Sequence, residues 1–165
     1  MDRCEECGYE YELSACEAAG MHCRQLAAEL SALLGAPPER LRARPAPEVW
    51  SPLEYACHVR DVLIVQRERV LLARWTERPV FAPMGRDERV ELDGYSAQDP
   101  EHVAAQLTEA ARLFGNVLDR IAPEDWQRTV VYGYPSRLER PLSWVAVHTV
   151  HEMRHHLLDV TRQLR

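Results

Sequence analysis

Ser51-Pro52-Leu53-Glu54-Tyr55-Ala56-Cys57-His58 is the stretch on which the reading of the fold turns. Serine can cap a helix, proline fits the first helical position, and a glutamate three residues after the cap can reach back to its amide, so the run opens a helix. That helix is expected to continue to about Trp75. Upstream, Pro45 and Pro47 keep the chain extended, and a first helix runs from about Ser14 to Leu34, stopping at Gly35, Pro37 and Pro38. Downstream, Asp99-Pro100-Glu101 starts a third helix, in which Val103, Leu107, Ala110, Phe114, Val117 and Ile121 alternate in steps of four and three, the seam of a bundle helix. A fourth begins near Pro141 and carries Leu142, Ala146, Val150, Met153, Leu157, Val160 and Leu164 as one apolar stripe. With no strand-rich region and no solenoid repeat, these four segments predict an all-α four-helix bundle.

A chain of 165 residues with 46% hydrophobic content suits a single core. The bundle is placed at residues 14–165, behind a cysteine-containing extension at residues 1–13. Two connections, 76–98 and 122–140, are long for a bundle and are therefore candidate pocket walls. The first holds Phe81, Met84, Arg86, Arg89 and Tyr95; the second holds Trp126, Tyr132, Tyr134 and Arg137, with a strand-like run from Arg128 to Tyr132. A net charge of −6 and a pI near 5.6 argue against nucleic acid as a partner, since phosphate neutralisation needs clustered Lys and Arg. No run approaches the roughly 18 apolar residues that span a bilayer, and the N-terminus is acidic where an export signal is basic and then apolar, so a cytoplasmic protein without membrane contact is expected. Cysteines at 4, 7, 16, 23 and 57 are an odd set for such a chain, which makes them reduced thiols or metal ligands in preference to a disulfide framework.

Four of the seven histidines fall within His148-Thr-Val-His151-Glu-Met-Arg-His155-His156. On a helix turning about 100° per residue, His148, His151 and His155 lie within an arc of about 60°, and His156 stands apart from it. The i, i+4 pair His151/His155 can share one ion, and His58, the histidine of the second helix, can supply a third imidazole from across the bundle. On pattern alone the arc can equally be a solvated face carrying Glu152 and Asp159, because it lies almost opposite the Leu142-to-Leu164 stripe. Trp144, Val147 and Leu158 beside His151 speak for a neighbour or a pocket on that side. Glu54 and Asp61 flank His58 on its own face, and either can orient the imidazole, although Glu54 also has the capping role. Cys57 points away from His58 and reads as core; His22 and His102 read as surface residues.

The run Trp50-Ser-Pro-Leu-Glu54-Tyr-Ala-Cys-His58-Val-Arg-Asp61, followed some ninety residues later by His151-Glu-Met-Arg-His155-His156, resembles the DinB-like family of bacterial damage-inducible proteins. The resemblance covers the second to fourth helices. It implies a four-helix bundle with a three-histidine divalent metal site, here His58, His151 and His155, holding zinc or, as the alternative, nickel, in a protein that is often a homodimer. A related branch contains mycothiol-dependent maleylpyruvate isomerases and thiol S-transferases. By that analogy the chain is a metal-dependent thiol S-transferase or isomerase, in which the ion holds a low-molecular-weight thiol such as mycothiol as thiolate for attack on a small electrophile. Arg86, Arg89 or Arg137 would then contact an anionic substrate. The alternative is a non-catalytic metal-binding stress-response protein. The chain has arginine but no lysine, a bias that suits a high-GC actinobacterium, where mycothiol is the natural thiol.

Cys4-Glu-Glu-Cys7-Gly8 has the two-thiolate spacing of half a zinc knuckle, with a glycine suited to the turn after it. A second, structural zinc is therefore expected at Cys4 and Cys7, with Cys16, His22 and Cys23 the nearest residues in sequence to complete it. A redox-active or idle cysteine pair is the other reading.

Overall fold

The computed structural model describes residues 3–133 and 137–165; Tyr134, counted above as a pocket wall, lies outside them. Six α-helices are present among the described residues: α1 (Ala19–Leu33), α2 (Pro38–Arg42), α3 (Pro52–Trp75), α4 (Arg86–Leu92), α5 (Pro100–Leu118) and α6 (Leu142–Leu164). The long ones, α1, α3, α5 and α6, form the four-helix bundle. α1 and α3 each pack against both α5 and α6, so α1 stands diagonally opposite α3 and α5 diagonally opposite α6, while α3 and α5 lie side by side. The core runs down the middle through Leu30, Leu53, Leu63, Leu107, Phe114, Leu118, Leu142 and Met153, all fully buried. No helix among the described residues is long and apolar enough to cross a membrane.

α3 starts where the sequence says it should. Ser51 Oγ accepts from the Glu54 amide at 3.3 Å, and Glu54 Oε2 accepts from the Ser51 amide at 2.8 Å. Glu54 is itself buried, and Arg44 grips both its oxygens at 2.8 and 2.6 Å. Burial alone would raise the Glu54 pKa, but Arg44 and the Ser51 amide outweigh it and hold the carboxyl below its ordinary value. A carboxylate whose folded pKa is depressed adds stability that is fully present above its unfolded pKa, about 4.3, and lost as pH falls through the folded value. The stability gap between the native protein and Glu54→Gln is thus expected to be largest at neutral pH and to shrink below about pH 4. Urea melts of both proteins across pH 3–7 check this, and a gap independent of pH would contradict it.

The first helix begins as a 3-10 turn, Leu13–Ala18, before becoming α1, and Gly20 lets it approach α5 closely. A Cβ on Gly20 would sit 2.6 Å from Asp119 Oδ1 and 3.1 and 3.2 Å from the backbone O and Cα of Gly115. Gly20→Val is therefore expected to cost about 1–3 kcal/mol by overpacking, read from the shift of the denaturation midpoint.

The two long connections are not free loops. β1 (Thr129–Tyr132) pairs antiparallel with β2 (Leu138–Pro141) in the register Thr129↔Pro141 to Tyr132↔Leu138. Val80 bridges to Val131, with Phe81 N–H donating to Val131 O at 2.9 Å and Val131 N–H to Pro79 O at 2.9 Å. The connection after α3 is thereby stitched to the hairpin that leads into α6, which closes one wall over the bundle.

Candidate metal centre

Under that wall lies a pocket of about 280 Å³. Its floor is His58 from α3 and Glu152 from α6; its walls include Met84 and Arg86 from the first long connection and Tyr132 from the second. Arg69 and Gln66 from α3, Asp87 and Glu88 from α4 and His148 from α6 add further polar lining. Phe81, Tyr95 and Trp126 are buried in the core behind it. Of the arginines named from sequence, Arg86 lines the pocket. Arg89 instead donates to Asp61 at 3.0 Å and to Met84 O at 2.8 Å, and Arg137 is exposed. Arg69 was not foreseen. Its guanidinium lies over the rings of Phe81 and Tyr132 at 5.5 and 5.3 Å, which holds it as a cation in the pocket lining.

His58, Glu152 and His156 each bring one potential ligand atom to within 4.8 Å of the others. The His58 and His156 rings meet edge to face at 5.1 Å, beneath Trp50 and Tyr55. His58 is buried, and its Nδ1 has no hydrogen-bond partner. Burial, reinforced by the positive charges of His156, Arg86 and Arg89, pushes its pKa well below the ordinary histidine value, which favours the neutral, ligand-competent imidazole. His156 Nδ1 faces Asp159 Oδ2 at 3.0 Å, and its Nε2 lies 3.9 Å from Glu152 Oε2. One ring nitrogen is held by a carboxylate and the other is left for the floor, the arrangement that orients a ligating histidine.

His151 and His155 do not join His58. They gather with Cys4 and Cys7 in a second group, again with every potential ligand atom within 4.8 Å of the rest. Two overlapping sets, His148/His151/Glu152 and His155/His156/Asp159, lie between the two groups and share their members. The expectation of one point of convergence for His58, His151 and His155 is therefore corrected, and the reason is helical geometry. Residues 151 and 155 form one i, i+4 pair and residues 152 and 156 another, and a one-residue offset turns the second pair about 100° from the first. The pair that faces α3 is Glu152/His156. A signal for this existed: His156 falls three residues after buried Met153 and four before buried Val160, on the inward stripe, whereas Leu157, assigned to that stripe from sequence, is only half-buried.

Two further expectations are corrected. Neither Glu54 nor Asp61 turns to His58. Glu54 is occupied by Arg44 and the Ser51 cap, and Asp61 by Arg60 at 2.8 Å, Arg89 at 3.0 Å and the Tyr95 hydroxyl at 2.7 Å. Cys16 and Cys23, expected near Cys4 and Cys7, are buried in the core instead, where burial pushes the Cys23 thiol up to about 12. Cys57 is likewise core, its thiol pushed up to about 12 by burial. His102 is exposed and His22 half-buried.

A four-helix bundle with α1 diagonal to α3 and α5 diagonal to α6, and a pocket floored by inward-facing His and Glu side chains, defines a class, the metal-site helical bundles. Within that class the family is specific: the DinB superfamily profile matches residues 22–160, and the chain belongs to that superfamily. No curated protein matches the sequence. Among solved structures, the chain is similar to YfiT from Bacillus subtilis, described as "a probable metal-dependent hydrolase with an unusual four-helix bundle topology". The two superpose with a TM-score of 0.78 at 16% identity, over 90% of this chain and 87% of that one, a likeness of fold.

Proposed function

We propose that the chain is a metal-dependent enzyme that activates a small nucleophile in the 280 Å³ pocket and directs it at a small anionic electrophile, with hydrolysis as the reaction type. The observation that carries this is the convergence of His58 and Glu152 of the pocket floor with His156 behind them, since two imidazoles and one carboxylate are the donor set of many catalytic zinc sites. The orphaned Nδ1 of buried His58 and the Asp159 brace on His156 fit an ion there. Bound in that position, a divalent ion supplies Lewis-acid polarisation and makes a nucleophile available at neutral pH. The remaining work falls to side chains: Arg69 and Arg86 offer guanidinium groups to a carboxylate or phosphate, next to Asp87 and Glu88 in the same lining, and Val62 and Met84 give apolar surface. The likeness to YfiT supports the same reading.

A low-molecular-weight thiol of the mycothiol type in place of water would make the protein an S-transferase or isomerase. The family resemblance of the Trp50–Asp61 segment favours this second reading. One experiment separates them. Zinc-loaded protein is incubated with a panel of small carboxylate-bearing esters, amides and epoxides, with and without the thiol, and products are identified by mass. Thiol-independent hydrolysis that vanishes in His58→Ala supports the first reading, and a thiol adduct supports the second. No product under either condition would leave a metal-binding protein without catalysis.

A further inference from the structure

We propose that Cys4, Cys7, His151 and His155 bind a second ion, a structural zinc that clasps the N-terminal hairpin onto α6. The hairpin is preformed for this. Cys4 N–H donates to Tyr9 O at 2.8 Å, Gly8 N–H donates to Cys4 O at 2.9 Å, and Arg3 bridges antiparallel to Glu10. Gly8 sits at φ +70°, a conformation that glycine adopts without the Cβ penalty, and so turns the chain directly after the second thiol.

The two histidines are held as ligands are held. His151 is buried, its Nδ1 lies 2.7 Å from the Tyr11 hydroxyl, and its Nε2 is buried without any partner. His155 faces Cys4 Sγ with Nδ1 at 3.8 Å, while its Nε2 lies 3.1 Å from Glu6 Oε2. In each ring one nitrogen is gripped and the other is free for the cysteines, the outer-shell pattern that sets tautomer and orientation. Tetrahedral zinc, with sulfur at about 2.3 Å and nitrogen at about 2.0 Å, separates its donors by about 3.3–3.8 Å, so a group already within 4.8 Å needs only a small contraction. Two thiolates and two imidazoles fill all four positions, which marks a closed structural site in contrast to the open donor set of the pocket. On binding, each cysteine gives up its S–H proton, and two S–Zn and two N–Zn bonds form.

The clasp reaches the pocket through one hydroxyl. With Nε2 of His151 as the donor to zinc, Nδ1 carries the ring proton and donates it to Tyr11 Oη. The Tyr11 hydroxyl hydrogen is then free for His148 Nδ1, 3.0 Å away. That places the His148 proton on Nε2, which faces Glu152 Oε1 at 3.9 Å on the pocket floor. The N-terminal hairpin thereby sets the tautomer of a pocket histidine.

The proposal does not rest on the catalytic reading, and cobalt separates the two. Full-length protein loaded with Co2+ is expected to bind about two ions and to show thiolate-to-cobalt charge transfer in the near ultraviolet with intense visible bands, a signal to which the pocket, having no cysteine, is blind. The double variant His58→Ala/His156→Ala should keep one ion and the whole charge-transfer signal, whereas Cys4→Ser/Cys7→Ser should lose the signal. Absence of thiolate charge transfer in the cobalt-loaded native protein would overturn the proposal without recourse to any variant. An unchanged spectrum in His151→Ala/His155→Ala would overturn the assigned histidines.

Discussion

His156→Ala is expected to empty the pocket of its ion and to lower turnover by more than the roughly 10–100-fold that loss of a supporting partner costs. His156 meets His58 and Glu152 from α6, with Asp159 fixing its ring, and removing it leaves one imidazole and one carboxylate from different helices. Two donors do not hold a divalent ion as three do. His151→Ala provides the contrast, because His151 turns its unpartnered nitrogen into the Cys4/Cys7 group and should leave pocket metal in place. Metal content and turnover of the two variants are measured side by side. If His151→Ala empties the pocket and His156→Ala does not, the ligand set is His58, His151 and His155, and the assignment made from the structure fails.

Asp61→Ala is expected to be the most destabilising single change on α3. Asp61 accepts from Arg60, Arg89 and Tyr95, and the Arg60 side chain is only 7% exposed. Removing the carboxylate leaves a buried guanidinium without its closest counter-charge, a change that costs about 3–5 kcal/mol in such settings. Gln98, Gln106 and Asp93 still contact Arg60, at 2.6, 2.8 and 3.1 Å, so the lower end of that range applies. For a chain of this size the thermal midpoint should fall by roughly 6–12 °C. The same experiment decides what Asp61 is for. A carboxylate that oriented His58 would, on removal, weaken metal binding while sparing stability. The geometry leads to the opposite outcome, a lower midpoint with metal affinity per folded molecule unchanged, because the loss falls on the contacts tying α3 to α4 and Tyr95.

The second partly apolar side of the last helix, visible in sequence as Trp144, Val147 and Leu158 beside His151, called for a neighbour without naming it. In the fold that neighbour is the N-terminal segment. Tyr9 and Tyr11 pack on His151 at ring separations of 5.5 and 5.2 Å, and Tyr11 stacks on Trp144 at 6.2 Å. Nothing local in Tyr9 or Tyr11 announces this contact, since about 140 residues separate them from His151 and only the docking of chain ends brings them together.

What the linear chain determined by itself was local: the Ser51–Glu54 capping box, the Asp99-Pro100 start, the seam of α5 and ligand-type side chains at helical spacing, each legible because helix caps and periods involve residues three and four apart. Of those side chains, His151/His155 stood out and Glu152/His156 did not. Which pair faces which partner was decided by tertiary packing alone. Two i, i+4 pairs offset by one residue differ by about 100° in direction, and small shifts in the assumed buried stripe, such as taking Leu157 for His156, exchange their roles. Only the position of α3 on one side of α6 and of the cysteine hairpin on the other assigns Glu152 and His156 to the pocket and His151 and His155 to the thiols.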